Sequence, residues 1–143
     1  MENIKDIAIQ VIDTEANSIL GLKNLLTDNF AKVVELILKS KGNVVVSGIG
    51  KSANIAQKIV ATLNSTGTTA VFMHAADAIH GDLGIIRDDD IVIIISKSGE
   101  TPEIKVLTPL IKIRKNKLVA IVGNTKSYLA AEADYVLDTT VPH

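Results

Sequence analysis

The sequence contains no cysteine and no tryptophan, and aromatic residues make up 3% of its 143 positions. Without cysteine there is no disulfide framework, no thiolate nucleophile and no cysteine-bound metal. With so few rings, the 47% hydrophobic content must build an aliphatic core. An excess of one charge is also missing: 15 basic residues face 16 acidic ones, for a formal net charge of −1. That balance offers no basic groove for nucleic acid and no cationic face for a membrane surface. The longest apolar run is five residues, Ile91 to Ile95 among them, far short of a membrane span. The amino-terminal MENIKDIAIQ has charged residues every few positions and no apolar h-region, so it is not read as a signal peptide. The expectation is a single cytoplasmic domain with a sizeable core.

Residues 2–40 carry no proline and only Gly21, and their apolar residues recur at helical spacing. Ile4, Ile7 and Val11 fall on one stripe; Phe30, Val33, Val34, Ile37 and Leu38 fall on another. The pattern predicts two helices with a break near 21–28, the second capped by Thr27 or Asp28. Short β-branched, nearly continuous apolar runs follow at 43–48, 69–74, 90–96, 117–124 and 134–139. Continuous runs mean burial on both faces, hence a parallel sheet covered by helices. Helical stretches at 52–64, 101–115 and 126–132 supply the crossovers, while 75–89 reads as one turn plus loop. The fold class is therefore α/β: a three-layer sandwich with a five-stranded parallel sheet flanked by helices. Ligands of such sheets sit beyond the carboxyl ends of the strands, at a switch point of strand order.

Two strand ends carry the chemistry. In SGIGKSA (47–53), Gly48 and Gly50 permit a tight turn and close ligand approach, and the following helix start favours an anion. A Walker A loop would need glycine at 45, where Val45 stands. A dinucleotide fingerprint matches through Ala53 but lacks the acidic residue at the end of the second strand, which closes on His74. A tight strand-to-helix turn without ligand remains the plain alternative. In ISKSGETPE (95–103), Thr101-Pro102 reads as N-cap and first helical residue. Capping leaves Ser96 and Ser98 unexplained, and hydroxyls with helix-start N–H groups can hold a phosphate. Capping serines without a ligand are the alternative there.

Taken together, GIGKSANIAQKIVATLNSTGT, HAADAIHGDLG and SKSGETPE resemble the sugar-isomerase (SIS) domain, from about Val33 to the last residue. The HGDLG stretch, with GxGKS upstream, is similar to the arabinose-5-phosphate isomerase branch of that family. The resemblance implies an aldose–ketose isomerase interconverting D-ribulose 5-phosphate and D-arabinose 5-phosphate, a step supplying the Kdo sugar of lipopolysaccharide. It implies a homo-tetramer, or a dimer, with active sites built between subunits. It places the family's catalytic residues on Lys51, His80 and Glu103. Its phosphosugar contacts fall on Gly48, Gly50, Ser52, Ser65, Thr66, Gly67, Thr68, His74, Ser96, Ser98, Gly99, Glu100 and Thr101. His74 also matches a position linked to inhibitory zinc. The expected domain is a single SIS domain over 1–143, without the CBS pair of many relatives. It also lacks the family's segment beyond a Val-Pro like Val141-Pro142, which holds a further glutamate, a distal histidine and a last helix.

Residue chemistry gives these positions roles. Moving a proton between adjacent carbons through an enediol needs an acid–base group and charge stabilisation at oxygen, and no cofactor. Lys51 sits where a helix dipole disfavours a cation, so an enediolate is a better reason for it than structure. Glu103 is a candidate base, although a first-turn glutamate is favoured by the dipole whatever its function. His80 suits proton handling during ring opening. His74 and His80, with Asp77 between, lack helical spacing and an obvious third metal ligand. The helix at 101–115 is apolar nearly all round, which points to an oligomer interface, and Pro109 is expected to kink it. A phosphosugar-binding sensor without catalysis, or an isomerase of another phosphosugar, is the competing function. Lys51, His80 and Glu103 together favour an enzyme.

Overall fold

The computed structural model describes residues 3–142; Met1, Glu2 and His143, the ends of the expected 1–143 domain, lie outside the described residues. Five parallel strands form one sheet: β1 Val44–Gly48, β2 Ala70–His74, β3 Ile91–Ser96, β4 Lys117–Val122 and β5 Tyr135–Asp138, in the order β2-β1-β3-β4-β5. Among the described residues, six α-helices accompany it: α1 Ile4–Gly21, α2 Asp28–Lys39, α3 Lys51–Ser65, α4 Ala75–Ala78, α5 Pro102–Ile113 and α6 Tyr128–Glu132. Short 3₁₀ turns at Leu22–Asn24 and Asp82–Ile85 fall in the two segments expected to be irregular.

The alternation of side chains along each strand divides the core into two layers. Val45, Val92, Ile94, Leu118 and Ala120 pack with Ile104, Leu107 and Ile111 of α5 and with Leu129 of α6. Val44, Val46, Ile91, Ile93 and Val119 pack with Val33 of α2 and Ala56 of α3. Helices thus cover both faces, which is why the strands read as unbroken apolar runs.

Strand order reverses between β1 and β3. The chain leaves β1 through α3 on one face, returns through β2, and leaves β3 through α5 on the other face. The loops after β1 and β3 therefore diverge and open a crevice at the carboxyl edge.

α5 buries Ile104, Leu107, Thr108 and Ile111 against the sheet and leaves the apolar Val106 and Ile113 facing outward, so the sheet alone does not cover its apolar surface. The helix stays continuous through Pro109, from Pro102 to Ile113. A longer uncovered apolar surface, which the sequence reading did not single out, belongs to α1. None of its 18 residues is buried, and Ile4, Ile12 and Ile19 are 84%, 64% and 67% exposed.

Candidate active site

Two adjoining cavities lie at the carboxyl edge, of about 410 and 430 Å³. Both are lined by Ser52, Ser96, Lys97 and Gly123. The first adds Ile49, Ser98, Thr101 and Asn124. The second is walled by Thr139 to Pro142, held in place where Thr139 Oγ1 donates to the Val122 carbonyl (3.0 Å) and Thr140 Oγ1 to that of Gly123 (3.1 Å).

The loop after β3 explains its own composition. Ser96 Oγ accepts the Gly99 N–H at 3.0 Å, and Ser98 Oγ accepts the Glu100 N–H at 3.2 Å. Each hydroxyl thus braces the turn through a lone pair and keeps its own proton to donate. Thr101 occupies the N-cap position of α5, with Pro102 behind it, yet makes no side-chain capping bond. Its Oγ1 is buried and has no hydrogen-bond partner. α3 likewise begins without a side-chain cap, at Gly50, whose φ of +59° suits glycine. The caps of α1, α2, α4 and α6 (Asn3, Thr27, His74 and Ser127) all accept a first-turn N–H. The two uncapped helix starts are those that flank the crevice. Their N–H groups and dipoles, with four hydroxyls and Lys97 at the wall, form a donor-rich cradle suited to an anion.

The structure sorts the expected contacts. Ser52, Ser96, Ser98 and Thr101 line the cavity together, and Gly48 and Gly50 form the turn beneath, with Gly48 packed on the Ser52 backbone. Gly99 and Glu100 do not face it. The Gly99 N–H is taken by Ser96 and its carbonyl accepts the Leu129 N–H at 3.1 Å. Glu100 Oε1 accepts the Tyr128 N–H at 2.6 Å and Oε2 pairs with Lys105 Nζ at 2.7 Å. These bonds, that of Lys105 foremost, hold the Glu100 carboxyl below the usual carboxylate range.

Ser65, Thr66, Gly67 and Thr68 are placed away from the crevice. They close the far end of α3, and a rise of 1.5 Å per residue from Lys51 to Ser65 puts them about 21 Å from its start, at the amino edge of the sheet. Ser65 Oγ and Thr66 Oγ1 donate to the Thr62 carbonyl at 2.8 and 2.9 Å, finishing that helix. His74 ends β2 beside Gly48, and its Nδ1 accepts the Ala76 N–H at 3.2 Å as the cap of α4. That lone pair is committed to the backbone, and no cluster of three or more His, Asp or Glu suited to a metal occurs among the described residues. The zinc expectation at His74 therefore has no supporting ligand set within one chain.

Lys51 is exposed as the first residue of α3, His80 is exposed in the segment after β2 and α4, and Glu103 is half-buried in the first turn of α5. All three stand at the carboxyl edge, but none lines either cavity. Lys97 and Asn124 were missed by sequence reasoning. Lys97 lies between the two serines that drew attention, and alternation alone would turn it away from them. The Lys97 carbonyl instead accepts the Gly123 N–H at 3.0 Å, which keeps the residue at the cavity wall.

The SIS domain family matches residues 36–143. A probable arabinose 5-phosphate isomerase of Haemophilus influenzae is 47% identical over 97% of this chain and 41% of its own length. An arabinose 5-phosphate isomerase of Pseudomonas aeruginosa is 46% identical over 94% of this chain and likewise 41% of its own length. The chain thus spans well under half the length of these curated relatives. Among solved structures, an Escherichia coli protein in complex with arabinose 5-phosphate superposes with a TM-score of 0.85 at 35% identity, covering 99% of this chain and 77% of the other. A putative sugar-phosphate isomerase of Listeria monocytogenes gives 0.90 at 34%, covering 100% and 77%.

Proposed function

The chain belongs to the SIS domain family, and on that footing we propose that it is the phosphosugar-binding and isomerising domain of a D-arabinose-5-phosphate isomerase. The observation that carries this reading is Thr101. Its hydroxyl is buried at the start of α5 without capping it and without a partner, in a cavity shared with Ser52, Ser96 and Ser98. An unpaired buried hydroxyl costs stability unless a ligand completes it. A sugar phosphate, with several acceptor oxygens, matches these donors, and Lys97 at the wall matches its charge.

With the phosphate so held, the sugar extends toward the loops after β1 and β2. A base, Glu103, takes a proton from C1 of D-ribulose 5-phosphate. The C1–H electron pair forms the C1–C2 double bond, and the C2 carbonyl becomes an enediolate oxygen. Lys51 offsets that charge, and return of a proton to C2 leaves the aldehyde at C1 of D-arabinose 5-phosphate. His80 handles the hydroxyl protons and ring opening of the aldose. The redox state of the sugar as a whole is unchanged, so this route needs no redox cofactor, and the Lys51 ammonium supplies the charge stabilisation that a metal would otherwise give. The product class fits supply of the Kdo sugar for lipopolysaccharide by a cytoplasmic enzyme.

The assembly proposed is a homo-tetramer, or a dimer. Two observations support self-association: the unburied apolar length of α1, and an apolar groove of about 190 Å³ along β5 lined by Leu22, Leu26, Phe30, Val136 and Leu137. A site completed between subunits also accounts for Lys51 and His80 standing outside the cavities of one chain.

The same displacement of Lys51 and His80 favours a second reading, a domain that binds the phosphosugar without converting it. Incubating the protein with D-ribulose 5-phosphate and following the aldose by NMR separates the two. Conversion, lost in Lys51→Ala with the fold intact, supports the isomerase. Binding without conversion selects the second reading, and no binding rejects both.

A further inference from the structure

A glutamate inside a phosphate loop is electrostatically awkward. A carboxylate beside a phosphate repels it, and the loop over 96–101 could have carried a neutral residue at position 100. The structure resolves this by direction. The Glu100 side chain leaves the crevice and spans the gap to α6, where Oε1 accepts the Tyr128 N–H at 2.6 Å. Its other oxygen meets Lys105 Nζ at 2.7 Å, one turn along α5. One carboxylate thus ties three pieces together: the loop, the first turn of α5 and the first turn of α6.

The neighbouring contacts act in the same place. The Gly99 carbonyl accepts the Leu129 N–H at 3.1 Å. Ser96 Oγ, on the end of β3, holds the Gly99 N–H at 3.0 Å. Ser127, whose hydroxyl accepts the Ala130 N–H at 3.3 Å, packs directly on Gly99. The loop's outer side is therefore fastened to the β4–α6 turn, while its inner side presents Ser98 and Thr101 to the cavity.

We propose that Glu100 is a positioning residue for the phosphate site: held by Tyr128 and Lys105, its carboxylate fixes the 96–101 turn so that the hydroxyls of Ser96, Ser98 and Thr101 converge on the ligand. It touches no substrate, and its charge is spent on Lys105 and the Tyr128 N–H instead of on the anion. This rests on the phosphosugar reading of the cavity. A loosened turn still has its hydroxyls, so the loss appears in ligand affinity and not in the chemical step.

The test compares Glu100→Ala, Glu100→Gln and Lys105→Met in the full chain. Two readouts are taken: amide hydrogen exchange without ligand, and calorimetric titration with D-arabinose 5-phosphate. In Glu100→Ala, exchange at Gly99, Tyr128 and Leu129 rises about ten-fold or more while amides of β3 and β4 keep their protection. The Kd for the sugar phosphate rises by about the same factor. Glu100→Gln keeps an acceptor for the Tyr128 N–H and recovers most of both, while Lys105→Met, which frees one carboxylate oxygen, raises both by a smaller factor of about three. Where turnover is measurable, KM rises and kcat holds. Unchanged exchange in Glu100→Ala, or unchanged or tighter binding, overturns the proposal. So does failure of Glu100→Gln to rescue, and if Glu100→Ala does not fold, Lys105→Met decides: unchanged exchange at Tyr128 and Leu129 together with unchanged Kd overturns the proposal. A wild-type chain that binds no sugar phosphate fails the phosphosugar reading itself, an outcome visible before any variant is made.

Discussion

Ser127 occupies the space that a side chain at Gly99 would need. A Cβ built on Gly99 would stand 2.1 Å from Ser127 Oγ and 2.5 Å from Ser127 Cβ, and Gly99 has a φ of +65°. Two elements distant in sequence are thereby locked at van der Waals contact, and the 96–101 loop inherits its shape from the turn before α6.

Gly99→Ala is expected to cost roughly 2 kcal/mol or more, from left-handed backbone strain and the clash together. Thermal unfolding measures it. Ser127→Ala does not rescue the variant, because the Ser127 Cβ remains in the way. A Gly99→Ala protein that melts like wild type contradicts the packing described.

Thr101→Val separates cap from ligand contact. If the hydroxyl capped α5, its loss would destabilise by about 1 kcal/mol. Since Oγ1 has no partner, stability is expected to hold or rise slightly, while D-arabinose 5-phosphate binding weakens about ten-fold. Calorimetry and chemical denaturation on the same samples check both halves.

At the opposite edge of the sheet, buried Asn116 donates through Nδ2 to the carbonyls of Arg87, Asp88 and Asp90 at 2.8, 3.3 and 2.9 Å. Asn116→Ala leaves those carbonyls short of partners and is expected to cost about 2 to 3 kcal/mol. Ligand affinity at 25 °C, set at the carboxyl edge, should not change. A loss of affinity larger than the loss of stability explains would contradict the separation of the two edges.

Ile12→Ser with Ile19→Ser on α1 tests self-association. Both residues are exposed in the single chain, so their replacement should leave the fold intact and lower the assembled mass seen by sedimentation. An assembly unaffected by the pair places the interface elsewhere.

Much of this was legible in the sequence, for identifiable reasons. The strands announced themselves because burial on both faces demands unbroken runs such as Ile91 to Ile95. Thr101-Pro102 marked the start of α5 correctly, since Pro102 is pre-set for a first helical turn. That the Thr101 hydroxyl is left free depends on tertiary position and has no local signature. Ser65 to Thr68 enter through the family resemblance alone; their distance from the crevice within one chain follows from the length and direction of α3, which no local pattern states. Glu100 reads as part of its loop because its partner Tyr128 lies 28 residues away. The exposure of α1 was also hidden, because an apolar stripe signals a partner without saying whether that partner is the same chain.

A sugar phosphate held in the hydroxyl-lined crevice between the ends of β1 and β3 is the premise of the proposed activity. Titration of the isotope-labelled protein with D-arabinose 5-phosphate, followed through amide chemical shifts, tests it most directly. The predicted result is saturable shifts concentrated at Ser52, Lys97, Ser98 and Thr101, with Ser65 to Thr68 silent. Shifts confined to the amino edge, or none at millimolar ligand, would contradict it.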